Sequence, residues 1–441
     1  MSSVLFESQR AMRQRREAAL RRGLVAILDI GSTKIACLVL QFAPDRADPA
    51  RRTSLTHGAF RVVGAATTRS RGVRYGEITA MEETERAIRT AVQAAQKMAG
   101  LRVDHAIACL SGGAPRSYGL TGSVRVENGE VAEPDIGHVL TACDVPDYGA
   151  DREALHALPV NFALDDRSGL SDPRGQIGAR LTVDMHLLTV DGIPVHNLLH
   201  CIRRCDMELA GLAVSSYAAG LSALVEDEQE LGAACVDIGG GTTGLSIFAK
   251  RQMIFADCVA MGGHHLTSDI CQGLEMPYAT AERIKTLHGG VVATGADDRD
   301  FIEIPSAFEE EAERRQITRA ELIGVMRPRM EEILEEVRAR LDASGFECLP
   351  GQRVVLTGGG AQVPGLETLA ARILGRNVRI GKPLRVQGLP QAATGTAFAA
   401  AVGLALFSSH PQDECWDFEM PADRIGSRRM RRAIRWIRQN W

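Results

Sequence analysis

The stretch Ala234–Phe248 reads ACVDIGGGTTGLSIF. An apolar run ends at Asp237, three consecutive glycines follow, then Thr242, Thr243 and a second apolar run. The pattern predicts a strand, a tight turn and a second strand. Glycine suits a turn in which the backbone takes positive φ or lets another group come close. Successive N–H groups in such a turn form an anion-binding nest. Asp237, at the strand end, is a carboxylate placed to hold a hydrated cation. Gly-rich turns also occur without any ligand, so one copy decides nothing.

The design recurs near the start of the chain. Val25–Leu40 reads VAILDIGSTKIACLVL, an apolar strand, Asp29, Gly31, Ser32, Thr33 and Lys34, then another apolar strand. The two aspartates are 237 − 29 = 208 residues apart. A repeat at that distance predicts two similar half-molecules that each offer a hairpin to one polyphosphate and its metal.

Composition bounds the remaining choices. The 441 residues suffice for two to four domains of about 150 residues each. With 45% hydrophobic and 24% charged residues, the chain reads as a soluble globular protein. A net charge of −4 gives no pull toward nucleic acid. The ten cysteines are scattered without a Cys-x-x-Cys pair and read as reduced core residues of a cytosolic protein. Cys201 and Cys205 share a helix face, but two thiols do not make a zinc site. His105, His138, His156 and His186 have no metal spacing and read as structural. No apolar run reaches the ~18 residues of a membrane span. The basic N-terminus lacks the apolar core of a secretion signal.

Taken in order, residues 1–22 are Arg-rich and read as a mobile or loosely helical tail. Met81–Met98 is an amphipathic helix, with Ile88, Val92 and Ala95 three or four apart. Residues 104–180 read as a small α/β insertion. After the second hairpin, Gly262 and Gly263 open a helix whose first amides and dipole could face an anion. His264 and His265 are adjacent and do not share a helix face, which argues against a metal site. Glu282 and Lys285 lie on one face of a following helix. Gly290–Ala293 and Phe301–Ile304 are strand candidates. Thr318 and Glu321 form a capping box that opens a long charged helix, with a kink expected at Pro328. The strand Arg353–Thr357 ends in Gly358, Gly359 and Gly360. Ala392–Phe407 is an apolar helix, and 408–426 a polar linker.

The chain ends in a basic segment, Ser427–Trp441. As a helix it places Met430, Ala433, Ile434, Ile437 and Trp441 on one arc. Arg428, Arg431, Arg432, Arg435 and Arg438 lie opposite, and Arg429 and Trp436 flank the boundary. Six arginines and no acid on such a helix predict a segment lying in a bilayer interface. So short a helix is not stable alone in water and would form on meeting lipid.

This order of features resembles the actin, Hsp70 and sugar-kinase superfamily of ATP-binding folds. The resemblance implies that Gly31, Ser32, Thr33 and Lys34 meet the phosphates together with Gly239, Gly240, Gly241, Thr242 and Thr243. Gly262 and Gly263 border the same site. Glu282, Lys285, Gly358, Gly359 and Gly360 would hold the adenosine. Asp29 and Asp237 would act on Mg²⁺ through its waters, since Mg²⁺ keeps most of its hydration shell.

Within that superfamily the chain resembles the FtsA family of bacterial cell-division proteins. Three features carry the likeness. The insertion at 104–180, with Leu110-Ser111-Gly112-Gly113 at its first strand, matches that family's extra subdomain. The segments Val259–Ile270 and Arg315–Ile323 are close to family patterns. A basic amphipathic end follows a polar linker. The resemblance spans about 23–441, and the Arg-rich extension before Gly23 departs from it.

The implied fold is α/β, an actin-like two-lobed ATPase fold with a small α/β insertion subdomain and a C-terminal amphipathic helix. The first lobe would take 23–103 and 181–231. The second would take 232–274 and 331–394, with an outer subdomain at 275–330. A closing helix at 395–407 precedes the linker. The implied function is to bind ATP and Mg²⁺, polymerise, tether the FtsZ ring to the cytoplasmic face of the inner membrane at the division site, and recruit later division proteins. The FtsZ C-terminal peptide would dock on 275–330 near Arg314, Arg315 and Arg319. ATP binding is implied more securely than hydrolysis, and no residue is assigned a catalytic role. A sugar or polyol kinase and a pilus-assembly-type ATPase share the hairpins and stay open. The first needs a general-base carboxylate that does not stand out here, and the second gives no reason for the basic end. An Hsp70-like chaperone would need a substrate domain after the ATPase.

Overall fold

The computed structural model describes residues 3–42, 60–304, 315–409 and 411–419. The 427–441 segment, Arg314 and the side chain of Arg315 lie outside the described residues.

Each hairpin forms the centre of a five-stranded sheet. Leu24–Ile30 and Lys34–Phe42 pair antiparallel, with Asp29 opposite Ala36, and Phe60–Arg69 continues the meander. On the other side His105–Leu110 pairs parallel to Leu24–Ile30, and Glu208–Val214 pairs parallel to His105–Leu110. The second sheet repeats the plan. Ala233–Ile238, Thr243–Ala249 and Gln252–Val259 form its meander, and Arg353–Thr357 and Val378–Ile380 its parallel flank. Strands covered on both faces are continuous apolar runs rather than alternating ones. That is why both hairpins are so apolar up to their aspartates. The internal repeat in sequence is thus a repeat of topology.

Two helices join the lobes. Ser215–Ala223 follows the last strand of the first sheet, and Ala399–Ser409 packs across it. A Cβ on Gly403 would lie 1.6 Å from the Ala218 carbonyl oxygen, so the two helix backbones touch. Around this crossing, Tyr217, Ala401 and Leu404 share one core with Phe248 and Val355 of the second sheet. The predicted helix at 392–407 begins later. Short 3₁₀ turns at Gln391–Ala393 and Thr396–Phe398 precede it.

The insertion is a four-stranded sheet in the order Arg116–Arg125, Arg180–Asp191, Arg152–Leu164, Arg167–Leu170, with its own core beneath the helix Glu133–Thr141. Its limits differ from the expected 104–180. His105–Leu110 belongs to the first lobe, where a run buried along nearly its whole length fits an interior parallel strand. Arg180–Asp191 belongs to the insertion and not to the first lobe. His186 joins the insertion to the second lobe. Its Nδ1 meets the Met253 carbonyl at 3.1 Å and its Nε2 the Ser117 hydroxyl at 2.9 Å. Burial pushes this imidazole down to about 3, so it is neutral: Nδ1–H donates to Met253, and Nε2 accepts from Ser117.

Three further expectations change. Residues 3–22 form a docked helix, Ser3–Arg22, with Gln9, Met12 and Ala19 buried. Its arginines do more than solvate. The Arg13 guanidinium donates to the Asp417 carbonyl and pairs with the Asp417 carboxylate, both at 2.9 Å. The expected linker packs on the insertion over residues 414–416, where Cys415 and Trp416 plug the insertion core and Glu414 bonds His156 at 3.0 Å. Gly290–Ala293 is no strand. The Val291 amide donates to the Pro364 carbonyl instead. The capping box forms, with the Glu321 amide donating to Thr318 Oγ1 at 3.2 Å, and Arg319–Ala343 runs unbroken through Pro328.

The helix crossing gives a stability test. Gly403→Ala should cost about 3 kcal/mol or more, because the opposing atom is backbone and cannot turn aside. Gly324→Ala, on an open helix face with nothing within 4 Å of its Cβ, should gain roughly 0.5–1 kcal/mol. Urea unfolding of both variants measures the contrast. Equal effects would contradict the close crossing.

Candidate functional site

The two hairpin tips meet at the floor of a cleft between the lobes. The cleft holds about 1460 Å³ counting its open mouth, room for a nucleotide-sized ligand. Each tip is a closed turn. Gly31 N–H donates to the Lys34 carbonyl at 3.1 Å, and Gly239 N–H to the Thr242 carbonyl at 2.8 Å. Ser32 Oγ accepts the Gly76 amide at 3.1 Å. Across the cleft, Thr33 Oγ1 lies 3.0 Å from His264 Nε2.

The glycines of the second tip are required by the first. A Cβ on Gly240 would stand 2.1 Å from Thr33 Oγ1, and one on Gly241 would stand 2.6 Å from Ser32 Oγ. The sequence reading gave Gly240 a bare backbone for the sake of phosphate. In the structure a valine there would also displace the Thr33 hydroxyl and crowd the His264 ring.

Several predicted site residues are engaged elsewhere. Thr243 is fully buried, and its hydroxyl donates to the Met261 carbonyl at 2.8 Å, so it does not reach the cleft. The amides of Gly263 and His264 donate to the carbonyls of Gly239 and Gly240 at 2.9 and 2.7 Å, and the Gly262 amide donates to His265 Nδ1 at 3.1 Å. The first turn of Gly263–Gly273 therefore holds the second tip in shape and does not present those amides to an anion. Lys285 Nζ bonds Glu282 at 2.7 Å, the Gly263 carbonyl at 2.9 Å and Thr267 Oγ1 at 2.7 Å. That pair fastens Tyr278–His288 to the preceding helix while still lining the cleft. Lys34 Nζ donates to the Ala397 carbonyl at 2.5 Å and lies 3.3 Å from the centre of the Phe398 ring.

Asp29 and Asp237 form the electrostatic centre. Asp237 is pushed up to about 7, first by burial and then by the charge of Asp29, with Lys34 opposing. Burial also raises Asp29, against Lys34 and a hydrogen bond from the Cys109 thiol at 3.3 Å. Two neighbouring carboxylates in a low-dielectric site resist ionising together. A hard divalent cation held through its waters would relieve that conflict, so this donor set fits Mg²⁺.

The glycine turn after the strand Arg353–Thr357 divides the same way. Gly358 has φ +87°, and its Cβ would lie 2.3 Å from Asp237 Oδ1. A Cβ on Gly360 would lie 2.3 Å from Ile238 Cγ2. Both are glycine so that the turn can sit on the second hairpin. Gly359 faces open space, with Ala397 Cβ at 4.0 Å the nearest atom. Sequence reasoning missed Ser111, Ser215, Thr396, Ala397 and Ala400, which line the same cleft. The buried hydroxyl of Thr396 has no partner among the described residues. The Gly395-Thr396 step before the apolar helix was the signal that could have revealed Thr396, Ala397 and Ala400.

Of the arginines expected to meet a partner, Arg319 is spent internally. Its Nε donates to the His288 carbonyl at 3.0 Å and its Nη1 pairs with Asp297. Charge reversal there would break this joint before it tested any docking.

The raised Asp237 carries a pH signature. An acid whose folded pKa lies above its unfolded value costs stability as pH rises between the two. Asp237→Asn should therefore stabilise the ligand-free protein. The gain should grow from about pH 4 to about pH 7 and then level off. Thermal unfolding across that range checks it, and a pH-independent difference would contradict the assignment.

Comparison with known proteins completes the description. The family model described as cell division protein FtsA matches residues 234–403, and that of the SHS2 domain inserted in FtsA matches residues 112–189. The second match coincides with the four-stranded insertion. Cell division protein FtsA of Rhizobium meliloti (strain 1021) is 42% identical over 388 residues, 88% of this chain and 87% of that protein. Among solved structures, the PilM–PilN type IV pilus biogenesis complex aligns with a TM-score of 0.57 at 17% identity, over 88% of this chain and 99% of that one. MreB 5 of Spiroplasma citri bound to AMPPNP aligns at 0.51 and 15%, over 87% and 95%. These distant likenesses show a shared actin-like fold alone. The identity and coverage decide the family: the chain belongs to the FtsA family of cell division proteins.

Proposed function

We propose that this actin-like division protein binds Mg-ATP between its lobes, self-associates into filaments and tethers the FtsZ ring to the cytoplasmic face of the inner membrane, where later division proteins join it. The observation that carries the nucleotide reading is the pair of hairpin tips in contact, with Asp29 and Asp237 beneath them. Asp29 and Asp237 would hold Mg²⁺ through its waters, and its charge would let both carboxylates ionise. The hydroxyls of Ser32 and Thr33 and the tips at Gly240 and Gly241 lie where phosphates would sit. Thr396 brings a hydroxyl, and Gly359 leaves room for the nucleoside. A protein of the same fold, MreB 5, has been solved with AMPPNP, which supports the reading by analogy.

The membrane part rests on the sequence of 427–441. Among the described residues, no helix is long and apolar enough to cross a membrane. A reversible interfacial contact through a basic amphipathic segment is therefore the anchor we infer. For the FtsZ peptide, the outer subdomain remains the proposed dock. With Arg319 committed to Asp297, the exposed apolar side chains Leu287 and Phe301 are better contact candidates there, alongside Arg314 and Arg315.

Two measurements test this function. Gly359→Val should weaken nucleotide binding at least about tenfold, as an intruding side chain loses more than ~1.4 kcal/mol of binding. Its unfolding midpoint should stay at the wild-type value. Undiminished binding would remove the nucleoside from this turn. Deleting 427–441 should leave nucleotide binding intact and abolish flotation with anionic vesicles. Retained flotation would place the anchor elsewhere.

A further inference from the structure

The Arg-rich helix Ser3–Arg22 contributes no residue to the cleft lining. It is fastened to the point where the chain leaves toward 427–441. Arg10 Nε and Nη2 donate to the carbonyls of Trp416 and Phe418 at 3.4 and 3.2 Å, beside the Arg13–Asp417 pair at 2.9 Å. The exit is itself fixed to the body. Trp416 is buried in the insertion core, and Glu414 bonds both His156 and the Ala157 amide. The exit therefore cannot drift away from the N-terminal helix while these bonds hold.

Distance makes this consequential. The described residues end at Glu419, and seven residues, 420–426, precede Ser427. Seven residues span at most about 25 Å even when fully extended. A 427–441 segment lying on a bilayer therefore keeps Glu419, and the part of the N-terminal helix bonded beside it, within about 25 Å of that surface. The outward side of this helix is basic. Arg10, Gln14, Arg21 and Arg22 are exposed. At 100° per residue, Arg10, Gln14 and Arg21 fall within about 40° of one another, and Arg22, the last residue of the helix, stands about 100° from Arg21. Of the acids beside them, Glu17 pairs with Arg13 at 3.0 Å and Glu208 lies 3.7 Å from Arg15, while Glu419 lines one groove with Arg10 and Gln14.

We propose that the outward face of Ser3–Arg22 is a second membrane contact, an electrostatic one that reads anionic lipid headgroups beside the exit of the tail. The occupant is a bilayer because the short tether delivers the face to whatever surface holds 427–441. The inference rests on the reading of that segment as the anchor. The two contacts divide the work. The tail supplies apolar insertion, and the helix adds surface charge that fixes which side of the molecule faces the membrane. Two weak contacts on one rigid body reinforce each other through effective concentration.

The test uses the full chain and vesicles of two compositions, one neutral and one containing an anionic phospholipid. A basic residue at an anionic surface is worth roughly fivefold in affinity. Arg21→Glu with Arg22→Glu should therefore weaken binding to anionic vesicles at least about tenfold, and leave binding to neutral vesicles, nucleotide binding and the unfolding midpoint unchanged. Arg21→Lys with Arg22→Lys should restore anionic binding, since charge and not shape is read. Unchanged binding of the Glu variant to anionic vesicles would overturn the proposal. So would an equal loss on neutral vesicles. Deletion of 427–441, run in parallel, reports on the anchor separately. If deletion abolishes flotation while the Glu variant binds normally, the anchor stands and this second contact falls.

Discussion

Gly240 has no room for a side chain because Thr33, from the other half of the molecule, stands where a Cβ would go. That contact between two hairpin tips, so close that a Cβ on Gly240 would lie 2.1 Å from Thr33 Oγ1, is the constraint on which the rest depends. It sets how far the lobes can close, and it places two carboxylates over one site. The scaffold behind it keeps the tips in register. Thr243 locks the second hairpin to Met261, the amides of Gly263 and His264 hold the tip carbonyls, and Gly358 and Gly360 press against the same strand end. Most glycines of the site serve backbone packing. Gly359 is the one of that turn left open to a ligand.

The charge arrangement explains why such a site is worth building. Burial raises the proton affinity of both Asp29 and Asp237, the charge of Asp29 raises Asp237 further, and Lys34 relieves this only in part. The ligand-free protein therefore carries strain at this point that a cation would remove. Stability given up at a site and recovered on binding links ligand occupancy to the fit between lobes. The Ala399–Ser409 helix extends that link. Ala400 near its start lines the cleft, the Arg16 guanidinium lies 5.6 Å from the centre of the Phe407 ring near its end, and the root of the tail follows.

How much of this was legible in the sequence depended on range. The hairpins, the helix Met81–Ala99 and the Thr318 capping box are local patterns, and apolar runs or cap residues reveal them directly. The topological repeat was legible because Asp-x-Gly occurs twice between apolar strands. The insertion limits were misplaced because His105–Leu110 and Arg180–Asp191 are both apolar strands, and only pairing partners distinguish their sheets. The arginines of Ser3–Arg22 resembled a solvated charge run. Arg10 and Arg13 reach backbone carbonyls some four hundred residues later, which no spacing rule can see. Thr243, Lys34 and Lys285 sit at the right places in the motif, yet their hydrogen bonds are decided by neighbours from other segments. The internal pairing of Arg319 was hidden for the same reason, since Asp297 reaches it across a loop.

The central claim is that both aspartates share one metal-bound nucleotide. Its most direct test is the affinity for ATP with and without Mg²⁺, in wild type and in the Asp29→Asn, Asp237→Asn double variant. The account predicts that Mg²⁺ tightens ATP binding to wild type at least about tenfold, a difference of ~1.4 kcal/mol. In the double variant that increment should vanish while metal-free binding remains. A Mg²⁺ increment that survives in the double variant would show that the paired carboxylates are not the metal's site.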